Sequence, residues 1–302
     1  MSLFDSLVVA GMPFVPKKLV RHFADPYIAG ESLQDAIDTV QRLNRQGICA
    51  TIDVLGEGIT RKEQATRAVD RYIQVVEAIE REKLDANISI KPTQFGLGID
   101  PAFCRDNYRR VIEVVKPYDN FIRIDMEDSP FTTLTLDLYE DLVKEYPRIG
   151  VVVQAYLRRT LHDIESRLAP VKANIRLCKG IYIEPHEIAY RDFDIVRKNY
   201  ILLLRKALEA GMYVGIATHD EMLVWEAYRL IDEMGVEKDQ YEFQMLLGVT
   251  ESLRRQIVQD GHKMRVYVPF GQDWYPYSTR RLKENPKIAG YVAKDILGIS
   301  RK

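Results

Sequence analysis

The feature that most constrains this chain is an eightfold alternation of short apolar runs with amphipathic segments. The runs are residues 47–54, 87–91, 121–126, 150–154, 174–178, 212–218, 241–245 and 264–268. They are rich in β-branched or aromatic residues, and turn or capping residues close several of them, as strands require. The unbroken valines of 150–154 suit a strand buried on both faces. Between the runs the apolar period lengthens to that of a helix. Leu33, Ile37, Val40 and Leu43 share one face, as do Val69, Ile73, Val76 and Ile79, and helical patterns also cover 193–210, 221–233 and 250–260. Thr60 is expected to cap one helix with Glu63 in the capping-box position, and Asp100-Pro101 to start the next. Strands separated by helices imply right-handed crossovers and parallel pairing. Eight such units point to a closed (β/α)8 barrel of the TIM type, with a doubly wound open sheet as the competing arrangement. We read residues 1–45 as an N-terminal helical arm and 46–302 as one barrel domain that includes a C-terminal helix over the active-site mouth.

Composition narrows the function classes. Lys and Arg total 43 against 44 for Asp and Glu, a net charge of −1 that leaves no bulk footprint for nucleic acid. Cys49, Cys104 and Cys178 form no closely spaced pair, which argues against a disulfide framework or zinc site and for a reducing compartment. The apolar run 7–15 is broken by Gly11 and Pro13 and preceded by Asp5, unlike a membrane span or export signal. The chain is therefore expected in the cytoplasm. Of the five histidines only His219 ends a strand, and none are spaced as metal ligands. His162, His186 and His262 are expected at the surface, and Arg158-Arg159 and Arg254-Arg255 as solvated helix charges. Gly96, Gly98 and Pro101 imitate a dinucleotide fingerprint, but proline at the third position favours a capped loop.

Polar residues collect where the strands end: Asp53, Lys91, Asp125, Gln154, Arg176 with Lys179, Thr218 with His219, Gln244 and Tyr267. Any one of these is explained by a strand meeting solvent. All of them in order imply a shared cavity at the C-terminal face, where barrel active sites lie. The cations Lys91, Arg176 and Lys179 imply an anionic ligand. After the last strand, Tyr277, Arg280, Arg281 and Glu284 fall at helical spacing. Both arginines can converge on a carboxylate beside the helix's first turn, and a solvated Arg–Glu pair is the alternative. Phe270, Trp274, Tyr275 and Tyr277 suit a lid over a flat cofactor.

The motifs TIDVLGE (51–57), IKPT (90–93), RIDME (123–127), QAY (154–156), RLCKGIY (176–182), ATH (217–219) and FQM (243–245), with the closing Tyr277/Arg280-Arg281/Glu284 helix, resemble the proline dehydrogenase family in its monofunctional bacterial form. The ordered set carries the resemblance, not any single tripeptide. It implies FAD at the barrel mouth and oxidation of L-proline to 1-pyrroline-5-carboxylate, the first step of proline catabolism to glutamate. It implies that Lys91, Arg280 and Arg281 hold the substrate carboxylate and that Tyr182, Tyr267 and Tyr277 wall its ring. Asp125 and Arg176 would be catalytic, Asp125 beside Lys91 and Arg176 near the flavin N5. Met126, Gln154, Arg176, Lys179, Gly180, Ile181, Thr218, His219 and Glu284 would contact FAD, with no metal. Cys178 stands where relatives often carry a small apolar residue, and packing is expected there. A quinone would accept the electrons, with peripheral docking on the inner face of the cell membrane through the N-terminal arm or the 288–299 stripe. A separate pyrroline-5-carboxylate dehydrogenase would take the product.

Physical expectations follow from that reading. Pinning the carboxylate reduces the entropic cost of orienting the ring, clustered cations lower the amine pKa, and Lys91 is expected to pair with Asp125. Two rivals are a Schiff-base aldolase or lyase using Lys91 or Lys179 and a non-catalytic ligand-binding barrel.

Overall fold

A computed structural model describes residues 25–56, 58–275 and 277. Eight parallel strands close into a barrel in chain order. They are β1 (Cys49–Val54), β2 (Ala86–Ile90), β3 (Ile122–Ile124), β4 (Ile149–Gln154), β5 (Asn174–Cys178), β6 (Tyr213–Ala217), β7 (Tyr241–Leu246) and β8 (Met264–Phe270). The helices are α1 (Leu33–Asn44), α2 (Lys62–Arg81), α3 (Pro101–Val115), α4 (Ser129–Glu145), α5 (Thr160–Asp163), α6 (Phe193–Glu209), α7 (Glu221–Met234) and α8 (Glu251–Gln259). The closed sheet rules out the doubly wound alternative. Closure is made by β1 pairing with β8, from Cys49 opposite Arg265 to Val54 opposite Phe270. Helix α1 packs against both strands of this seam.

Local chemistry explains the helix starts. Ser32 caps α1, its Oγ accepting from Asp35 N at 3.2 Å while Asp35 Oδ2 accepts from Ser32 N at 2.9 Å. Asp100 caps α3 as expected, accepting from Ala102 N and Phe103 N at 3.0 and 3.2 Å. The start of α2 differs from expectation. Gln64, not Glu63, folds back, its Oε1 accepting from Thr60 N and Arg61 N at 3.1 and 3.0 Å. The helix begins at Lys62, so Gln64 occupies the third helical position from which a side chain reaches the preceding amides.

Strand alternation sorts the barrel into two environments. Ile52, Ile88, Ile124, Val151, Leu177, Ile216, Phe243 and Val266 are buried in the core that includes Val69, Tyr72, Val111, Leu136, Leu204 and Leu223 of the helices. The alternate residues Asp53, Ser89, Arg123, Asp125, Arg176, Glu242, Gln244 and Arg265 are also buried, yet they are polar; six of them bond one another in a chain from Ser89 to Arg265, while Asp53 bonds Lys91 and Arg123 bonds Asn174. The barrel interior is thus largely a polar network rather than stacked aliphatic layers. Two of the expected surface groups are also drawn inward. Arg254 on α8 is buried, and His262 is partly buried, 4.4 Å from the Tyr228 ring and accepting from or donating to Tyr241 Oη through Nδ1 at 2.8 Å. Among the described residues no helix is long and apolar enough to cross a membrane.

Candidate active site

The strand ends at the C-terminal face of the barrel surround a cavity of 590 Å³. Each predicted site residue within the described range borders it. Lys91 follows β2, Asp125 and Met126 follow β3, and Gln154 ends β4. Arg176 lies in β5, with Lys179, Gly180, Ile181 and Tyr182 in the loop that follows. Thr218 and His219 follow β6, Tyr267 lies in β8, and Tyr277 closes the rim against Ile28 and Leu55. Arg280, Arg281 and Glu284 lie outside the described residues, as do Glu57, His22, the first 24 residues of the N-terminal arm and the 288–299 stripe.

Two ion pairs form the floor. Asp125 Oδ1 receives Arg176 Nη1 at 2.7 Å and Ser89 Oγ at 2.6 Å, and Oδ2 receives Tyr267 Oη at 2.9 Å. Lys91 Nζ lies 3.0 Å from both carboxylate oxygens of Asp53. The expected Lys91–Asp125 pairing is therefore corrected: Asp53 holds the lysine and Arg176 holds Asp125. Asp53 itself is sealed beneath the floor, where Tyr72 of α2 reaches between β1 and β2 to stand 3.2 Å from its Oδ1 and 2.7 Å from Ser89 O.

These surroundings push the two carboxyls apart. Burial raises Asp53 above the ordinary range, and the nearby Lys91 only partly opposes it. Burial also disfavours ionised Asp125, but Arg176, Lys91 and the Ser89 and Tyr267 hydroxyls together bring it below its usual value. Burial, reinforced by Asp125, holds the Tyr267 phenol well above its ordinary pKa. The floor therefore presents one firmly ionised carboxylate, two cations and a phenol that stays protonated.

The loops around the rim are laced to one another. Glu127 accepts from Thr93 N and Oγ1 at 2.8 and 2.5 Å, fixing the turn that follows Lys91. Glu184 accepts from Ser129 N and Oγ at 2.7 and 2.6 Å, seating the β5–α6 loop on the N-terminus of α4. His219 Nε2 accepts from Leu246 N at 2.8 Å, which places the ring proton on Nδ1. Asp220 joins Lys179 at 3.2 Å to Arg197 at 2.8 Å. Gly180 adopts φ +101°, and a side chain there would collide with the Tyr156 ring, so the wall it belongs to tolerates only glycine.

The sequence profile of the family described as proline dehydrogenase matches residues 36–294. The chain belongs to the proline dehydrogenase family. It is 39% identical over 300 residues to the proline dehydrogenase of Deinococcus radiodurans, with 96% of each chain covered. It is 36% identical to proline dehydrogenase 1 of Bacillus subtilis strain 168, with 90% of this chain and 89% of that one covered. The bifunctional protein PutA of Escherichia coli K12 is 29% identical over 94% of this chain, which spans 25% of PutA. Among solved structures, proline utilization A from Bdellovibrio bacteriovorus, inactivated by N-propargylglycine, superposes with a TM-score of 0.83 at 25% identity, covering 94% of this chain and 35% of that one.

The site of this proline dehydrogenase suits a flavin. Gln154 Oε1 is buried at the cavity and accepts no hydrogen bond among the described residues, a deficit that a ligand N–H would remove. Apolar Met126, Val152, Ile181 and Met245 share the lining with Arg176 and Lys179, the mix that a flat, partly anionic cofactor needs. Among the described residues no group of His, Cys, Asp and Glu could hold a metal. Sequence reasoning missed Tyr27, which reaches the cavity because Ala29 N bonds Pro269 O at 2.9 Å and docks its segment on β8. Cys178 and Val249 also border the cavity, and only their positions just past or at strand ends could have marked them.

Proposed function

We propose that this proline dehydrogenase binds FAD at the barrel mouth, oxidises L-proline to 1-pyrroline-5-carboxylate and passes the electrons to a quinone-type acceptor. The observation that carries the reading is the floor itself: Lys91 and Arg176, each held by its own buried aspartate, face a cavity in a chain of this family. Gln154, Arg176, the 179–181 loop, Met126, Thr218 and His219 would hold the flavin, with Glu284 steadying the arginine helix. When bound, the flavin supplies the two-electron acceptor for the hydride that leaves the carbon beside the amine.

The protein's own part is orientation, charge and exclusion of water. Lys91, with Arg280 and Arg281, grips the substrate carboxylate, and Tyr182, Tyr267 and Tyr277 fix the ring against it. Asp53 keeps Lys91 aimed at the cavity. Asp125 is held below the usual carboxylate range and accepts from Arg176, Ser89 and Tyr267, so its part is to orient Arg176 rather than to take the amine proton. Because each cation has a carboxylate beside it, the floor depresses the amine pKa less than bare cations would. Arg176 lies where it can stabilise negative charge developing beyond the floor.

Anaerobic addition of L-proline to the purified protein tests the reading. A yellow protein whose flavin absorbance is bleached by proline is the expected result. A colourless protein with a lysine trapped by borohydride would establish the aldolase instead. A yellow protein that proline leaves unbleached would establish a binding barrel. The acceptor and the separate pyrroline-5-carboxylate dehydrogenase are tested by supplying each in turn and following reoxidation and product loss.

A further inference from the structure

Gly215 sits in the middle of β6, where a missing side chain usually marks the close approach of another group. Its lateral neighbours are Arg176 on β5 and Glu242 on β7. The gap it leaves holds the carboxamide of Gln244: a Cβ on Gly215 would stand 2.5 Å from Gln244 Nε2 and 2.9 Å from its Cδ. In that slot Gln244 Oε1 accepts from Arg176 Nε at 2.6 Å, and Nε2 donates to Glu242 Oε1 at 2.7 Å. The amide can face only this way, because a guanidinium only donates and a carboxylate only accepts. Arg176 is then held through two nitrogens, Nε on Gln244 and Nη1 on Asp125 at 2.7 Å and Ser89 Oγ at 3.2 Å. With Nε released, only the Nη1 contacts with Asp125 and Ser89 and the Tyr267 ring, 5.2 Å from the guanidinium carbon, would constrain its plane. Glu242 is anchored in turn by Arg265, through Nε at 2.7 Å and Nη2 at 3.1 Å.

We propose that Gln244 is a positioning residue that fixes the plane of Arg176 in the cavity floor by bridging it to the Glu242–Arg265 pair beneath. The idea rests on the proline-oxidising reading only in naming Arg176 as the group whose orientation matters to catalysis. The slot is faced by Arg176 from β5, Tyr213 from β6, Glu242 from β7, Lys263 and Arg265 at the start of β8, Arg123 from β3 and Asp125 just after it.

Two substitutions separate positioning from packing. Gln244→Met keeps the length of the side chain and removes both bonds. It is expected to lower kcat for proline roughly tenfold to a hundredfold, the scale of one lost hydrogen bond to a charged group, with KM moved less than about threefold. Gln244→Glu places a second carboxyl against Glu242. Ionised, that carboxyl repels Glu242 and loses the amide donor; protonated, it restores both the donor and the acceptor. The thermal midpoint of this variant, relative to wild type, is expected to recover as pH falls from about 8 to about 6, while the Gln244→Met deficit stays flat. Wild-type kcat in Gln244→Met, or a Gln244→Glu deficit that does not change with pH, would overturn the proposal. The melting profile needs neither flavin nor proline, so it still decides the Gln244 bridge if the wild-type protein fails to be bleached by proline.

Discussion

The barrel interior contains two clusters of buried charge, and they are built to different rules. Near the N-terminal ends of the strands, Glu242 receives Arg265 on both oxygens, Gln244 Nε2 at 2.7 Å and Lys263 at 3.3 Å, and Arg265 spends its remaining arm on Ala50 O at 2.7 Å. Beside it, Arg123 is satisfied by Asn174 O and Oδ1 at 2.8 and 2.6 Å. Burial disfavours the Glu242 charge, yet Arg265 overcomes this and the carboxyl is held down to about 2. At the mouth, by contrast, one aspartate is raised and the other lowered, and the cations they hold border a cavity. In the lower cluster Glu242 and Arg265 use their charges up on each other, and Arg123 is tied to neutral groups. The upper cluster presents its charges to an opening. Environments that separate the pKa values of neighbouring carboxyls are those that divide chemical roles between them.

The largest expected effect breaks the lower cluster. Glu242→Gln removes the charge beneath a buried Arg265 while keeping its shape, and should cost about 3–5 kcal/mol of unfolding free energy. Urea denaturation should show the loss, and kcat for proline should fall less than in Gln244→Met, because the substituted amide keeps an oxygen that can accept from Gln244 Nε2. The sign of the acid response follows from the same group. Its folded pKa lies below the ordinary 4.5, so the stability it contributes is complete above 4.5 and is lost as pH falls toward about 2. Glu242→Gln should therefore flatten the stability profile over that window. An unchanged acid limb would show that the lower cluster does not set it.

The same isosteric change at the mouth should reverse the pattern. Asp53→Asn also removes a buried carboxylate from a cation, but burial already penalises the Asp53 charge. Lys91 borders the cavity and can be solvated there, so the stability loss should be smaller than for Glu242→Gln, about 1–3 kcal/mol. Its kcat/KM for proline should fall roughly tenfold to a hundredfold, mainly through KM, because Lys91 loses the group that aims it. A large loss of stability with normal KM would place Asp53 with the lower cluster and erase the distinction.

How much of this was legible in the sequence depends on the range of the interaction. Period and capping are local, so eight strands, most helices and the Asp100 cap are readable from the order of residues. The α2 cap was misplaced by one step because Gln64 and Glu63 are equally able to fold back and only the helix start decides between them. The rim residues were legible because strand ends are ordered by the chain. Their partners were not, because Lys91 meets Asp53 rather than Asp125 through the register of β1 on β2, which pairs Ile52 with Ile88. Arg254 sits in a polar-looking stretch and Arg265 inside an apolar run, and nothing in their spacing distinguishes a buried guanidinium from a solvated one. Gly150 and Gly215 were interior signals in plain view, since glycine inside an apolar strand marks a close approach.

The smallest expected effect tests whether the contrast lies in desolvation and not in bond geometry. Arg109 grips Glu145 much as Arg265 grips Glu242, with Nε at 3.0 Å and Nη2 at 2.6 Å, and adds Asp106 at 3.0 Å. The side chains of the Arg109–Glu145 pair are 44% and 40% exposed, whereas those of Arg265 and Glu242 are 10% and 3% exposed. In solvent the gain from such a fork is offset by the entropy of ordering two long side chains and is screened by salt, which leaves under about 1 kcal/mol. Arg109→Ala should thus shift the urea midpoint only slightly, with the shift shrinking further as salt is added. Removing either partner of the buried fork should cost several times more and respond little to salt. If the two forks cost the same, burial is not what gives the Glu242–Arg265 fork its weight, and the lower cluster loses its standing as a structural layer.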